Sequence, residues 1–341
     1  MRLNYKGVNM RTRLLDCTLR EGSHLNGGRF GQKTIKNIIK KTTRSGIDII
    51  EIGFLNNNED RPGTSNFNDI KSAEQTLDQC ETNSETEYAV MVRPDRFDVS
   101  QIQTRPKQCS VVRIAFYQKD ISEAIEAGRV LKSKGFDIFL NPIATSTYSN
   151  NNITNISTEI NDLLPRGINL VDTFGSLTPD RAQRIYELLD DNLNEKITIG
   201  AHLHQNLGLS RSISQRILSN RSISRDIIID GALYGMGRSP GNLQTELIAD
   251  RLSENGNSDY LLEPLFEVID SEIKPLKERY DWGYSPEYFI SAKYNVHRTY
   301  AERMKEKGES LQEINNVCRF VSENSDTVEY DKALVEQYYD E

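Results

Sequence analysis

Eight short apolar runs, each rich in β-branched residues, recur along the 341-residue chain with helix-compatible stretches between them. They are Arg13 to Thr18, Ile47 to Gly53, Tyr88 to Val92, Val111 to Phe116, Asp137 to Pro142, Ile168 to Phe174, Ile197 to His204 and Asp226 to Leu233. Helical periodicity marks Lys33 to Ser45, Ile121 to Lys134, Asp180 to Asp190 and Ser210 to Leu218. The spacing leaves room for one strand, one helix and two loops per unit, an alternation that requires parallel strands joined by crossover helices. Eight such units predict a closed (β/α)8 TIM barrel. A doubly wound open sheet is the competing architecture, and the absence of a Gly-x-Gly-x-x-Gly turn after the first run weakens it.

Beyond residue 250 the pattern changes to charged helices at Leu261 to Asp270, Ile273 to Tyr280, Tyr288 to Lys307 and Leu311 to Glu323. This predicts an α/β barrel over residues 1–255 and a C-terminal helical appendage over 256–341. Asn150 to Asn155 reads as a loop or a helix start, and Tyr330 to Glu341 as a solvated final helix. A hydrophobic content of 37% is adequate for a large core, and no apolar run approaches the roughly 18 residues of a membrane span. Residues 1–12 contain no apolar leader, and four widely spaced cysteines suit reduced thiols, so the expected compartment is the cytoplasm. A formal charge of −8 argues against nucleic acid as a partner.

Only four histidines occur, and three fall in two polar clusters: His24 in Asp16 to His24, and His202 and His204 in Ala201 to Asn206. Two residues apart on a strand, His202 and His204 project to the same face. Active sites of such barrels lie at the C-terminal ends of the strands, where the first and seventh runs both end. Glu21 and the two imidazoles can therefore converge on a divalent cation. Two nitrogens and a carboxylate leave coordination positions open and suit Mn, Fe, Co, Zn or, with more waters, Mg. Arg20 and His24 stand beside them. Asp16 and Thr18, alternating with Arg20 on the first strand, are expected to point into the barrel, and Asp16 to hydrogen-bond rather than to bind metal. The turn Gly235 to Gly241 is expected to allow close backbone approach beside Asn242. His297, on an apparent helix, reads as a packing or surface residue.

Five segments together carry a resemblance: Asp16-Cys17-Thr18-Leu19-Arg20-Glu21-Gly22, Ile50-Glu51-Ile52-Gly53-Phe54, Asp172-Thr173-Phe174-Gly175, His202-Leu203-His204 and Gly237-Arg238-Ser239-Pro240-Gly241-Asn242. In this order the chain resembles the DRE-TIM metallolyases (the HMG-CoA lyase-like superfamily), over roughly residues 10–250. His24, three residues after the metal carboxylate, makes the 4-hydroxy-2-oxovalerate aldolase branch the nearest match. The resemblance implies that Glu21, His202, His204 and Asn242 hold a divalent metal ion, most readily Mn²⁺ or Mg²⁺, with Zn²⁺ or Co²⁺ compatible. It implies that Arg20 stabilises an enolate oxygen, that Glu51 orients Arg20, and that His24 is the general base. Thr173 takes the place of a serine near the substrate, and Tyr294 or Tyr288 is the candidate for a tyrosine supplied by the C-terminal part. The implied activity is cleavage or formation of a 4-hydroxy-2-oxo acid through a pyruvate enolate, with a 2-oxo acid and an aldehyde as small-molecule partners and a homodimer as the assembly. A Claisen-type synthase joining an acyl-CoA to a 2-oxo acid, and a non-catalytic metal-binding barrel, are the rivals. This chain departs from the family pattern at Glu21, where Asp is usual, and around Ser291 to His297. Divergence in the appendage leaves the aldolases' dehydrogenase partnership without support.

Overall fold

The computed structural model describes residues 11–57, 61–222, 225–238, 240–254, 256, 258–325 and 328–340. Residues 1–10, Ser239 of the fifth segment and Glu341 lie outside them. The strands are β1 (Thr12–Asp16), β2 (Ile49–Leu55), β3 (Asn66–Phe67), β4 (Glu87–Val92), β5 (Cys109–Phe116), β6 (Asp137–Pro142), β7 (Gly167–Asp172), β8 (Thr198–Leu203) and β9 (Ile227–Gly231). Around the ring they run β1-β9-β8-β7-β6-β5-β4-β2, all parallel. The pairs Leu15–Ile49 and Asp16–Ile50 close the cylinder between β1 and β2. The fold is the predicted (β/α)8 barrel, and the short β3, which the sequence did not indicate, adds only to the outer end of β2.

Helices α1 (Thr18–Asn26), α2 (Gln32–Arg44), α3 (Ile70–Leu77), α4 (Ile121–Ser133), α5 (Asn150–Leu163), α6 (Pro179–Asn192) and α7 (Ser210–Ser219) lie between the strands, a 3-10 turn at Val99–Gln101 takes that place between β4 and β5, and α8 (Thr245–Glu254) follows β9. The Asn-rich stretch is the start of α5. Ser149 and Asn152 form a reciprocal capping box there, which offsets the poor helix propensity of three successive asparagines.

Strand alternation sorts side chains into two cores. Leu14, Ile50, Ile52, Val112 and Ile229 face outward into the shell between sheet and helices, whereas Leu15, Ile49, Ala89, Val111, Phe139 and Ile228 form an inner layer. One step further toward the C-terminal rim the inward positions turn polar: Glu51, Arg113, Asn141, Asn169, His202 and Asp230 are all buried. A charged layer inside an otherwise aliphatic barrel requires mutual pairing, and that pairing builds the site.

The chain continues as α9 (Leu262–Val268), a π turn (Ile269–Ile273) and α10 (Lys274–Lys277), which place Leu265, Val268, Ile273 and Leu276 in the barrel's own apolar core. A second core begins at Ile290 and gathers α11 (Pro286–Lys293), α12 (Thr299–Glu306), α13 (Leu311–Asn324) and α14 (Lys332–Asp340) through Tyr300, Met304, Val317, Cys318 and Val335. The expected single helix from Tyr288 to Lys307 is therefore two. Asn295 takes a left-handed φ of 52°, which ends α11 and turns Val296 to Arg298 back toward the barrel mouth. The four cysteines are unpaired thiols. No helix among the described residues is long and apolar enough to cross a membrane.

Candidate active site

Strand β1 ends one turn earlier than the sequence suggests. The Asp16 carboxylate accepts from the Thr18 N–H at 3.1 Å and from the Thr18 hydroxyl at 2.9 Å, a local turn that competes with further extension. Glu21 N–H then donates to the Cys17 carbonyl at 2.8 Å, and α1 is under way. Thr18 and Arg20 consequently lie on a helix and do not alternate on a strand with Asp16. Asp16 accepts a further bond from Thr245 at 2.6 Å, which leaves it outside the candidate metal cluster. On α1, Glu21 and His24 are three apart and Arg20 and His24 four apart, so helical periodicity brings them to one side. Gly22 lets the helix lie close over the mouth: a Cβ there would stand 2.6 Å from the Phe30 ring and 2.7 Å from the Met236 methyl.

At the end of β8 the two imidazoles come together with Glu21. Their donor atoms and a Glu21 oxygen all lie within 4.8 Å of one another, and the three residues are buried. Each histidine has one nitrogen committed. His204 Nδ1–H donates to the Asp172 carbonyl at 2.7 Å, and His202 Nδ1 lies 3.0 Å from Asp230 Oδ2 and donates to it. Both Nε2 lone pairs are thereby left for a ligand, and His202 Nε2 stands 3.3 Å from Glu21 Oε1. A histidine oriented by a carboxylate behind it is the usual support for a metal ligand. Burial lowers the pKa of both rings, favouring the neutral, ligating form.

Asn242 reaches the same place through an isolated backbone bridge to His204. Its amide donates to Met236 O at 3.0 Å, while its buried Oδ1 has no partner. Gly237, with φ of 157°, makes the approach possible: a Cβ there would fall 2.1 Å from Asn242 Nδ2 and 3.0 Å from Glu21 Oε2. Three converging donors, a carboxylate-backed imidazole and an unmatched buried carbonyl oxygen fit a divalent cation.

Glu51 on β2 links this cluster to the barrel interior. Its Oε2 accepts from Arg20 Nε at 2.7 Å and from Arg113 Nη1 at 3.0 Å. Arg113 also donates to Asn141 and to Asp230, so Arg20, Glu51, Arg113 and Asp230 form one buried chain of alternating charge that ends on the neutral His202. Arg113 and Asp230 were not singled out from the sequence. The available signal was a lone ionised residue inside each of the apolar strands Cys109–Phe116 and Ile227–Gly231, which burial permits only with a partner.

A cavity of about 380 Å³ opens above the cluster. Arg20, Glu21, His24, Thr173, His202 and His204 line it, as do Arg93, Arg96, Tyr117, Arg238, His297 and Arg298. His24 stands edge-on to Phe54 at 5.4 Å, and the Arg20 guanidinium lies over the same ring at 5.8 Å, so Phe54 positions both. The His24 ring is open to the cavity. Its pKa is held well below the ordinary imidazole range by its enclosure in the mouth, then by the guanidiniums of Arg20, Arg298, Arg238 and Arg96. Thr173 accepts from Ala144 N–H at 2.7 Å and keeps its hydroxyl proton available.

Tyr294 is elsewhere. Its hydroxyl donates to Asn315 Oδ1 at 3.0 Å, and the ring packs against the second core, outside the cavity lining. Tyr288 does not line the cavity either, and the tyrosine that does is Tyr117, just beyond β5. His297, expected on a helix, instead lies on the turn between α11 and α12. Its Nδ1 accepts from Thr299 N–H at 3.2 Å and its ring meets Phe174 edge-on at 6.0 Å. Burial and the neighbouring Arg298 and Arg238 push its pKa down to about 4, so it is neutral at physiological pH.

Two 4-hydroxy-2-oxovalerate aldolases are similar to the chain: one from Roseiflexus castenholzii, 26% identical with 77% of each chain covered, and one from Chloroflexus aurantiacus, 28% identical with 78% of this chain and 77% of that protein covered. A 2-isopropylmalate synthase from Staphylococcus carnosus is 24% identical over 69% of this chain and 47% of its own length. In structure, the N-terminal domain of an aldolase candidate from Bacteroides vulgatus superposes with a TM-score of 0.74, at 22% identity, over 89% of this chain and 98% of that one. The HMGL-like family model matches residues 11–270. The chain therefore belongs to the HMGL-like family of DRE-TIM barrels, enzymes of the lyase and aldolase kind.

Proposed function

We propose that this protein is a divalent-metal-dependent aldolase that cleaves or forms a 4-hydroxy-2-oxo acid through the enolate of pyruvate. The observation that carries it is the placement of Arg20 and His24 in the same cavity as the Glu21, His202 and His204 donor set. Glu21, His202 and His204 hold the ion, with Asn242 Oδ1 beside them, and Mn²⁺ or Mg²⁺ is the expected metal. When bound, such an ion acts as a Lewis acid toward the oxygens of a 2-oxo acid.

Neutral His24 takes the proton of the 4-hydroxyl. The C3–C4 bond then breaks, its electrons pass to the C2 oxygen, and the aldehyde departs. Arg20 meets the charge developing on that oxygen. Its Nε is fixed on Glu51, so the guanidinium plane is set before the charge appears, and little reorganisation is needed at the moment of reaction. The proton held on His24 returns to C3 to give pyruvate, and condensation runs the same steps in reverse. Thr173 offers its hydroxyl to the substrate from the β7 side.

The test is pyruvate release from a panel of 4-hydroxy-2-oxo acids by protein stripped of metal and then reloaded with Mn²⁺ or Mg²⁺. Release that ignores both chelation and reloading would dispose of the proposal. Similarity to the isopropylmalate synthase keeps a Claisen-type condensation as the second reading. Free CoA appearing from an acyl-CoA and a 2-oxo acid, followed with a thiol reagent, would favour it.

A further inference from the structure

Half of the cavity has no part in the chemistry above, and it is strongly cationic. Among the described residues that line the cavity, Arg20, Arg93, Arg96, Arg238 and Arg298 are arginines, whereas Glu21 is the single carboxylate. Arg20 belongs to the enolate. Among the described residues, the other four have two carboxylates near them. Asp95 takes a bidentate pair from Arg93 at 3.0 and 2.7 Å and stands 3.8 Å from Arg96. Glu302 accepts from Arg238 Nε at 3.0 Å and lies 3.4 Å from Arg298 Nε, without the geometry of a hydrogen bond. Among the described residues, four guanidiniums against two carboxylates leave a surplus of two positive charges.

Their position is as informative as their number. In the ring order β4 lies directly across the barrel from β8. Arg93 and Arg96 follow β4, while His202 and His204 end β8. Tyr117, beyond neighbouring β5, has the Arg93 guanidinium 5.1 Å over its ring. Arg298 descends from the α11–α12 turn into the same cavity. A 2-oxo acid whose C1–C2 end sat at the Glu21, His202 and His204 donor set would extend its far end toward this wall. The floor between is mostly apolar, with Met91, Ala115, Ile143 and Val171, and its polar member, Asn141, has its Oδ1 engaged by Arg113. Arg93 and Arg298 are partly buried, with side chains 17% and 14% exposed, and a partly desolvated guanidinium without a full complement of acceptors favours an anion that completes it. Planar guanidinium forks match the geometry of carboxylate and phosphate.

We infer that the aldehyde-derived end of the substrate is itself anionic, a carboxylate or a phosphate, and that Arg93 and Arg298 bind it with Arg96 at the rim. This rests on the aldolase reading and narrows it: in the condensing direction pyruvate loses a C3 proton, C3 bonds to the carbonyl carbon of an anionic aldehyde, and the new 4-oxygen gains the proton. A neutral short-chain aldehyde satisfies the chemistry but not the wall.

The experiment has two arms on the metal-loaded full chain. In the first, kcat/KM for condensation with pyruvate is compared for propanal, succinic semialdehyde and glycolaldehyde phosphate. An anionic aldehyde is expected to exceed propanal by at least about tenfold, the scale of one charge-assisted hydrogen bond. Whichever of the two anions leads identifies the group. Arg298→Met and Arg93→Met should each lower the anionic-to-neutral ratio by about tenfold or more while metal content stays at the wild-type level. In the second arm, calorimetry measures binding of inorganic phosphate and of malonate to wild type and to Arg298→Met, and weaker binding by the variant is expected. Propanal equal to or better than both anions, or a ratio indifferent to both substitutions, would overturn the inference and leave the aldolase intact. Should no aldehyde condense at all, the aldolase reading has failed, and the anion titrations alone decide whether the arginine wall binds: unchanged binding by Arg298→Met then sinks it.

Discussion

The two sides of the cavity are built differently. The side that bears Glu21, His202, His204 and Asn242 is carried by the ends of β1, β8 and β9, and both imidazoles and the Asn242 amide nitrogen are held from behind by a strand residue or a backbone group. The opposite wall and roof come from chain beyond β4 and β5 and from the α11–α12 turn, where carboxylates are shared between guanidiniums. The first arrangement keeps reacting groups in one geometry. The second leaves charge to be satisfied by whatever enters. On the proposed reading, chemistry resides in the barrel and choice of substrate in the connections around its mouth, a division the fold favours generally.

Replacing His24 tests the barrel side most severely. His24→Ala is expected to keep its metal and lose turnover by roughly 10²- to 10⁴-fold, the usual scale for a general base; single-turnover kinetics at saturating substrate measure it, and near-normal turnover would remove His24 from its role. Because the His24 pKa is lowered, the base is already deprotonated at neutral pH, and the acidic limb of kcat/KM should fall below the ordinary imidazole value of about 6.5.

Rigidity on this side has a price in stability. Asp16, buried beneath α1, has a pKa raised to about 6 chiefly by burial. The folded state therefore holds that proton more tightly than the unfolded chain, whose Asp titrates near 3.9. Its contribution is complete below about pH 4 and is lost as pH rises through about 6, a change of roughly 3 kcal/mol. Urea midpoints across pH 4–7 should show this slope reduced in Asp16→Asn, and identical slopes would contradict the assignment.

Asp230→Asn keeps the shape behind His202 but removes the charge. Metal affinity should weaken by about 10- to 100-fold, read by competition with a chelating dye, and an unaltered affinity would separate Asp230 from the metal cluster. The smallest effect is expected from the appended side. Val317→Ala leaves a void in the second core, loosening α11–α13 by on the order of 1–3 kcal/mol. KM should rise a few-fold with metal content unchanged, and hydrogen exchange would localise the loosening. Metal loss in that variant would break the proposed separation of the two sides.

The same division governs what the sequence discloses. Strand runs, their order and the histidine pair on β8 are local periodic signals, and the barrel follows from them. The end of β1 was misjudged because Arg13 to Thr18 continues to look like a strand, while the Asp16 side chain captures Thr18 and starts a helix. Arg113 and Asp230 sit in runs whose aliphatic character hid them, and their pairing is nonlocal. His297 and Arg298 were obscured for another reason: from Tyr288 to Lys307 the sequence contains no proline or glycine to announce the break, and Asn295 supplies the left-handed turn instead. An arginine-rich wall assembled from three separate connections leaves no contiguous motif. A donor set at the end of one strand and one short helix does.

The most direct test of the account is elemental analysis of the purified wild-type protein beside Glu21→Ala and His202→Ala, after equilibration with limiting Mn²⁺. About one tightly held divalent ion per chain is expected in the wild type, and a large loss of it in both variants, with the far-ultraviolet circular dichroism unchanged. Equal metal content in all three proteins, or none in any, would contradict the proposal that these side chains hold the ion.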